Sequence, residues 1–435
     1  MELDVRLDGF NEPIGQLSAN DRNAVQFAYA DGYRARSDAL ALSLALPIRE
    51  EPFGDFPTRA YFDNLLQERD TARADIIARY RLANDDIAGI LYHLGKDCAG
   101  AVSVLPSGAP PVKLPGRIEQ DYRPYTQQQI EAVVTALYRR QPLPQDIEDP
   151  SPLAGVQSKI ALTLLPDGRF AEPIGGAPTT HILKVPQERH ERDAAREHAA
   201  MALSAASGMP TAATQQLDIA GIPVLLVQRF DRHMENGLVT RIHQEDFCQA
   251  LGLPARQKYQ RPERGDQGFS VAAIRPILDR TTDPARERLK FLDATLFDAL
   301  IGNVDGHAKN FALFHLPGNR VMTTPRYDVM PTMLDRRTTE EFAYRLGHAR
   351  NLGELDQAAL DLFLSDLGFA SAAGRRRILH AALDRAIDTL NAEIDRVGRH
   401  DKDFGDLIGT NIRTLCRNLG RAAPSPAAER DTFVR

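Results

Sequence analysis

A short polar stretch, NVDGHAKN at residues 303–310, follows the apolar run FLDATLFDALIG. Within this stretch Asp305 and Asn310 are five residues apart, with His307 and Lys309 between them. A buried core segment would avoid such a mixture of acid, imidazole, amine and amide groups. The stretch is therefore either a solvated turn or a place where chemistry happens.

A second acid, Asp328, stands in PRYDVMP, after the apolar run RVMTT. In a catalytic loop, Asp305 could accept the proton of a substrate hydroxyl, while Asn310 and Asp328 could hold Mg²⁺. Phosphoryl transfer uses such groups because its charge develops on non-bridging oxygens, which Mg²⁺ neutralises. Aspartate suits the role of base mainly through its position, since its unperturbed pKa of about 4 makes it a weak base.

The complementary groups lie upstream. Lys184 sits in the predicted strand THILKVP, where its ammonium group could reach ATP phosphates, and Glu197 on the following helix could hold that lysine. In AGVQSK, Gly155, Gln157 and Lys159 precede a strand and could cover the phosphates through backbone N–H groups.

The motif QRFD, from Gln228 to Asp231, ends the last predicted strand of this smaller part of the chain. A hinge between two lobes would meet an adenine ring at that point. The sequence thus predicts an ATP site assembled from a small α/β lobe and a larger helical lobe.

The elements that must position these residues follow from local patterns. LDVRLDG alternates like a strand, and KIALTLLPDGRFAEP reads as a hairpin around a PDG turn. Residues 187–207 predict a helix stopped by Gly208, and the chain beyond Gln244 is mostly helical in pattern. Proline marks residues 106–125 and 141–155 as extended connectors around a helical pattern at 126–139.

These patterns predict an α+β fold in five segments. They are an N-terminal module at 1–105, connectors with a helix and the start of the phosphate loop at 106–155, the rest of the ATP-binding lobe at 156–240, a helical lobe with the catalytic loop at 241–420, and a tail at 421–435.

Composition limits the function classes. The net charge is -6, from 53 basic and 59 acidic residues, so no global basic field draws the chain to nucleic acid. The three cysteines are scattered, which indicates neither a zinc site nor a disulfide framework. The first residues, MELDVRLDGF, lack an apolar signal region, and no apolar stretch approaches the roughly 20 residues that span a bilayer. A cytoplasmic, soluble protein without membrane contact is expected.

Taken together, several motifs resemble the HipA family of serine/threonine kinase toxins from bacterial type II toxin–antitoxin systems. They occur in the family's order and at about its spacing: LAGVQSK, PTTHILKVP, VQRFDR, QEDFCQALGLP, IGNVDGHAKNF and YDVMP. As a set the motifs are highly specific, and the match runs from the first residues to near residue 400. The resemblance implies a bilobal, protein-kinase-like fold.

The resemblance also implies a role for each site residue. Asp305 would be the catalytic base, and Asn310 and Asp328 would bind Mg²⁺. The implied ATP-binding residues are Gly155, Gln157, Lys159, Lys184, Glu197, Gln228, Phe230, Asp231, His307 and Tyr327. Within that set, Gln228 and Phe230 would line the adenine site, and His307 and Tyr327 would flank the nucleotide.

One departure from the family concerns self-phosphorylation. The positions where family members often carry an autophosphorylated serine are Pro152 and Ala154 in this chain. Ser151 is the first candidate if the chain modifies itself. A phosphate there would add roughly −1.5 to −2 charge beside the ATP phosphates, which should displace the loop and empty the site.

The implied partners are a helix-turn-helix antitoxin of the HipB type, DNA only through that antitoxin, and an aminoacyl-tRNA synthetase as substrate, with the glutamyl enzyme as the best-known target. Phosphorylating it would stop translation and favour dormancy. Two alternatives stay open. One is a small-molecule or lipid kinase on the same scaffold, because fold does not decide substrate. The other is a non-catalytic subunit that binds the antitoxin and modulates repression.

Overall fold

The computed structural model describes residues 1–66, 71–144, 146–147, 158–261 and 268–424. The chain divides into two compact units. The first comprises Met1–Ala194, Ala213–Arg256 and Ala312–Met322. The second comprises Ala195–Ala212, Gln257–Phe311 and the chain from Thr323 onward.

The first unit opens with an antiparallel four-stranded sheet in the order β3-β2-β1-β4. Its strands are β1 (Glu2–Leu7), β2 (Gly15–Ala19), β3 (Val25–Tyr29) and β4 (Val102–Pro106). The helices near it in sequence are α1 (Asp31–Arg34), α2 (Asp55–Asp63), α3 (Thr71–Tyr80) and α4 (Ile87–Leu94). The alternation in LDVRLDG does form a strand, and it buries Leu3, Val5 and Leu7 in the core.

A six-stranded sheet in the order β10-β11-β9-β7-β8-β6 carries the predicted phosphate-binding strands. Its strands are β6 (Tyr122–Pro124), β7 (Lys159–Leu164), β8 (Phe170–Pro173), β9 (His181–Lys184), β10 (Thr214–Ile219) and β11 (Ile222–Gln228). The predicted hairpin is confirmed as β7 and β8, and Gly168 in its turn adopts φ 86, which favours glycine. Helix α5 (Gln127–Tyr138) begins at a capping box formed by Thr126 and Gln129.

The predicted connector at 106–125 is more ordered than its prolines indicate. It contains β6 and the short strand β5 (Gly116–Arg117), which joins β13 (Leu238–Arg241) and β12 (Arg232–Glu235) in a three-stranded sheet. Strands this short carry no alternation from which they could be predicted.

A fourth sheet, of three strands, lies where the sequence pattern indicated mostly helix. It contains β14 (Gln244–Asp246), β15 (Ala312–Leu316) and β16 (Arg320–Thr323). Helix α7 (Phe247–Leu251) follows β14 and begins at a capping box formed by Asp246 and Gln249.

The second unit is built mainly from helices. They are the larger part of α6 (Arg192–Ala206), then α8 (Val271–Asp279), α9 (Pro284–Ile301), α10 (Gln357–Asp366), α11 (Ala372–His400) and α12 (Lys402–Asn418). Helix α6 begins later than the predicted residue 187, because Arg189 has a left-handed backbone with φ 74. On α9, Leu292, Leu296 and Leu300 are buried, whereas Leu289 is 36% exposed.

The predicted α+β fold class is confirmed by this architecture. The five predicted segment boundaries stay a prediction. Among the residues that the structure describes, no helix combines the length and the apolar character needed to cross a bilayer.

Candidate active site

The polar stretch 303–310 forms a closed loop after α9 in the second unit. The backbone carbonyl of Asp305 accepts hydrogen bonds from the His307 N–H at 2.7 Å and from Asn310 Nδ2 at 2.8 Å. The N–H of Asp305 donates to Asn303 Oδ1 at 3.2 Å. The structure therefore brings Asp305 and Asn310 together, as their spacing predicted, and fixes the backbone that carries the Asp305 carboxylate.

A buried ion pair between Asp298 and Arg326 supports this loop through Asn303. Asp298, on the last turn of α9, accepts a hydrogen bond from Arg326 Nη2 at 2.5 Å and another from Asn303 Nδ2 at 3.1 Å. The Arg326 guanidinium also donates to Ser204 Oγ at 3.4 Å. Burial raises the pKa of Asp298, and Arg326 opposes that shift by favouring the charged carboxylate. The Arg326 guanidinium thus connects the 303–310 loop to helix α6 and to the segment that holds Asp328.

Asp328 follows Arg326 by two residues and has a left-handed backbone with φ 56. Aspartate tolerates this conformation better than most residues, and such strain often accompanies function. The residue is exposed, and its charge is felt by His307 in the loop. The hydroxyl of Tyr327 donates to the Lys309 carbonyl at 2.7 Å, so Tyr327 packs against the loop. Contact of its ring with a nucleotide stays a prediction.

His307 is buried, with 7% of its surface exposed. Burial, followed by repulsion from Lys258, lowers the pKa of His307 to about 3, although the charge of Asp328 acts in the opposite direction. The imidazole is therefore neutral near pH 7. As a neutral imidazole it can order the loop or donate one hydrogen bond.

In the first unit, Lys159 and Lys184 are opposite each other on neighbouring antiparallel strands, β7 and β9. Directly opposed residues point to the same face of a sheet, and like charges there repel. Lys184 is also only 8% exposed. A pair of ammonium groups on one face suits an anionic ligand such as a phosphate chain.

In the QRFD motif, Gln228 ends β11 and the next three residues lead into the turn before β12. Gln228 is exposed and Phe230 is half-buried against Phe314, with ring centroids 5.7 Å apart. Arg229 and Asp231 are buried and form a salt bridge at 2.9 Å. Arg229 and Asp231 thus belong to the protein interior, and contact of Gln228 and Phe230 with adenine stays a prediction.

Asp231 is part of a larger buried ion network with the N-terminal module. Its Oδ2 accepts from the Gly100 N–H at 3.0 Å and from Arg232 at 2.9 Å. Burial alone would raise the pKa of Asp231, but Arg229 and Arg232 hold it well below its usual value. The Asp231 carboxylate therefore takes part in the buried ion network, and its predicted contact with ATP stays a prediction.

The same network continues to the first sheet. Arg241 pairs with Asp97 at 3.1 Å and with Asp8 at 2.6 Å, and Lys113 pairs with Asp97 at 3.1 Å. The side chains of Arg241 and Asp97 are fully buried. Burial of Asp97 opposes its ionisation, yet Lys113 and Arg241 lower its pKa, so the acid stays charged.

Of the remaining predicted site residues, the structure describes Glu197 but not those of the phosphate loop. Glu197 lies on α6 in the second unit with 1% of its surface exposed, and its pairing with Lys184 stays a prediction. Gly155, Gln157 and the candidate phosphosite Ser151 lie outside the described residues, as do Pro152 and Ala154.

The donor set fits a magnesium nucleotide. Across the described ranges, no group of three or more His, Cys, Asp or Glu side chains is placed to hold a metal ion by itself. Mg²⁺ does not need such a cage, because it is usually held by one or two side-chain oxygens together with substrate phosphates. Asn310 and Asp328 would supply that kind of oxygen.

Sequence reasoning missed several residues of this region. Tyr259 donates its hydroxyl hydrogen to Asp305 Oδ1, and nothing in QKYQR indicates it. Asp298 could have been suspected from the sequence, since it is an acidic residue within the apolar helical run FLDATLFDALIG. Arg326 stands beside the YD motif but was not distinguished from an ordinary surface arginine.

Comparison with known proteins identifies the family. The model described as "HipA-like C-terminal domain" matches residues 151–394, and the "HipA N-terminal domain" model matches residues 3–105. The Sinorhizobium fredii protein "Putative kinase Y4mE" is 34% identical over 402 residues, covering 92% of each chain. The chain belongs to the HipA family.

Further HipA relatives agree with this assignment. The "Serine/threonine-protein kinase toxin HipA" of Shewanella oneidensis is 29% identical over 288 residues, covering 63% of each chain. HipA in a complex of HipA, HipB and operator DNA from Shewanella oneidensis MR-1 superimposes with a TM-score of 0.78 at 24% identity, covering 96% of this chain and 98% of that one. The predicted kinase-like fold is confirmed, and the chain is a HipA-family kinase.

Proposed function

We propose that this HipA-family chain is an ATP- and Mg²⁺-dependent serine/threonine protein kinase that acts as the toxin of a toxin–antitoxin pair. The observation that carries the proposal is the closed loop in which Asp305 and Asn310 are joined by a 2.8 Å hydrogen bond. A shared loop fixes the spacing between a base and a metal ligand, which phosphoryl transfer requires.

Each side chain has a defined task in this mechanism. The Asp305 carboxylate accepts the hydrogen bond of the acceptor hydroxyl and receives its proton during transfer. Asn310 and Asp328 would hold Mg²⁺, which neutralises charge on the phosphate oxygens when bound. Lys159 and Lys184 attract the phosphates through their shared face of the sheet. Gln228 and Phe230 would contact the adenine, and Glu197 would anchor Lys184.

The proposed substrate is an aminoacyl-tRNA synthetase, with the glutamyl enzyme as first candidate. This proposal rests on the family resemblance, and its consequence would be arrested translation and dormancy. The proposed partner is a HipB-like antitoxin, supported by the Shewanella complex that contains HipA, HipB and operator DNA. Contact with DNA would then be indirect. Ser151 stays the candidate for self-phosphorylation.

The test uses the purified chain with labelled ATP, Mg²⁺ and a panel of synthetases. Asp305→Asn should reduce transfer by roughly 10²–10⁴-fold, the usual contribution of a positioned general base, while ATP binding measured by calorimetry stays unchanged. Asp406→Asn is the matched control, because Asp406 is an exposed acid of the same unit and should leave transfer intact.

The outcomes separate the alternatives. Phosphate on a synthetase serine or threonine supports the proposal, and phosphate only on a metabolite or lipid replaces it with a small-molecule kinase. No transfer by the wild type, together with tight antitoxin binding, would leave the non-catalytic co-repressor. Normal turnover by Asp305→Asn would show that Asp305 is not the base.

A further inference from the structure

Tyr259 presents its hydroxyl to the carboxylate that the proposed mechanism uses as base. The phenolic O–H donates to Asp305 Oδ1. The Tyr259 ring meets His307 edge-on, with centroids 5.0 Å apart and planes at 77°. All three residues belong to the second unit. The base thus already has a hydroxyl hydrogen-bonded to it.

The segment that carries Tyr259 is anchored on both sides. The Lys258 carbonyl accepts from the Ala308 N–H of the catalytic loop at 3.1 Å, and the Gln260 N–H donates to the Ala343 carbonyl at 2.8 Å. The Arg261 guanidinium lies 4.9 Å from the centroid of the Tyr259 ring, where a cation favours the aromatic face. The hydroxyl is therefore directed at Asp305 by its surroundings.

The Tyr259 hydroxyl is not needed to hold the Asp305 backbone. Asp305 already donates its N–H to Asn303 Oδ1, and its carbonyl accepts two further hydrogen bonds from within the loop. What Tyr259 contacts is the carboxylate oxygen itself, the atom on which the base chemistry depends. A hydroxyl donating to the base is also the arrangement that an acceptor serine or threonine must adopt before transfer.

We propose that Tyr259 occupies the acceptor position at Asp305, so that the hydroxyl of the protein substrate must displace it before phosphoryl transfer. This inference rests on the proposed kinase function. It makes Tyr259 an internal competitor with the acceptor. Acceptors that bring enough binding energy to displace the tyrosine are phosphorylated, and weakly bound hydroxyls, including water, are excluded from the base.

The kinetic test is Tyr259→Phe, which keeps the ring and removes only the oxygen. The KM for the protein acceptor should fall by about 10- to 100-fold, the range expected for a hydrogen bond to a charged group, while kcat and the KM for ATP stay nearly unchanged. Hydrolysis of ATP in the absence of acceptor should rise. Tyr92→Phe, at an exposed site in the other unit, should change none of these values.

A spectroscopic test is independent of turnover. In protein labelled with 3-fluorotyrosine, the ¹⁹F resonance missing from Tyr259→Phe identifies Tyr259. Asp305→Asn should shift that resonance, and so should saturation of the wild type with ATP, Mg²⁺ and acceptor. Absence of a shift on Asp305→Asn would overturn the inference.

The kinetic outcomes distinguish this inference from the proposed function. If the wild type phosphorylates a protein and Tyr259→Phe leaves the acceptor KM unchanged, or lowers kcat without lowering that KM, only the inference fails. If both bind ATP and neither transfers phosphate to any hydroxyl, the kinase proposal fails with it. Transfer that appears only in Tyr259→Phe supports both.

Discussion

The Arg326–Asp298 pair allows a quantitative test of how the loop at residues 303–310 is supported. The side chains of Arg326 and Asp298 are only 12% and 10% exposed, and they are joined at 2.5 Å. Arg326→Met keeps the length of the side chain and removes its charge. Breaking one half of a buried ion pair costs about 3–5 kcal/mol, because the remaining charge is left without compensation.

The cost should depend on pH in a defined direction. Burial already raises the pKa of Asp298, and Arg326 is the main group that opposes this rise. Removing Arg326 therefore raises that pKa further above the ordinary value of about 3.9. The folded variant then holds its proton more tightly than the unfolded chain does. Its stability is greatest in acid and is lost as pH rises through the folded-state pKa, so the deficit is largest near neutral pH.

Urea unfolding of wild type and variants between pH 5 and 8 measures this cost. Arg385→Met is the matched control, since Arg385 pairs with Asp293 at 2.7 Å in the same unit but is 52% exposed. That pair should contribute about 1 kcal/mol or less. Asp298→Asn added to Arg326→Met should recover most of the loss. A deficit no larger than that of Arg385→Met, or one independent of pH, would refute the reasoning.

Two further predictions concern other parts of the chain. A Cβ at Gly405 on α12 would lie 2.8 Å from the Cα of Gly398 on α11, so Gly405→Ala should reduce the free energy of unfolding by about 1–3 kcal/mol. A Cβ at Gly398 would meet nothing within 4 Å. Gly398→Ala should therefore leave the free energy of unfolding unchanged or raise it by up to about 1 kcal/mol. Thermal unfolding of both variants decides this, and equal effects would contradict the packing argument. Burial, followed by repulsion from His315, lowers the pKa of His243 to about 3. Below about pH 6.5, His243 therefore binds a proton in the unfolded chain but not in the folded one. The free energy of unfolding should fall by up to about 1.4 kcal/mol for each unit by which the pH falls. His243→Gln should flatten that dependence in acid unfolding, whereas His233→Gln, at a site 59% exposed, should not.

The parts of the site that could be predicted are those carried by local sequence. Asp305 and Asn310 come together because they share one eight-residue loop, and the hairpin β7–β8 follows from a turn and two short apolar runs. The opposed lysines 159 and 184 were each predicted for phosphates. Their pairing, however, depends on the register of β7 and β9, which neither strand reveals alone.

The parts that could not be predicted depend on contacts between distant residues. Tyr259 meets Asp305 across 46 positions of sequence, and Arg326 meets Asp298 across 28. No local pattern encodes such pairs, because they result from the packing of separate elements. Asp231 shows the same dependence: its place in QRFD indicated the nucleotide, but only the fold shows that its carboxylate is buried against Arg229 and Arg232. The strands at 116–117 and 122–124 were missed because prolines and short length conceal them.

The buried ion network between the first sheet and residues 229–241 limits how the chain can be truncated. A fragment that starts after residue 105 would lack Asp8 and Asp97, and the guanidinium of Arg241 would then lose both of its carboxylate neighbours. The N-terminal quarter of the chain therefore cannot be treated as a separable domain. When residues 106–435 are expressed alone, the polypeptide should be insoluble. Exchange of domains between relatives should give folded protein only when residues 1–105 and the rest of the chain come from the same relative.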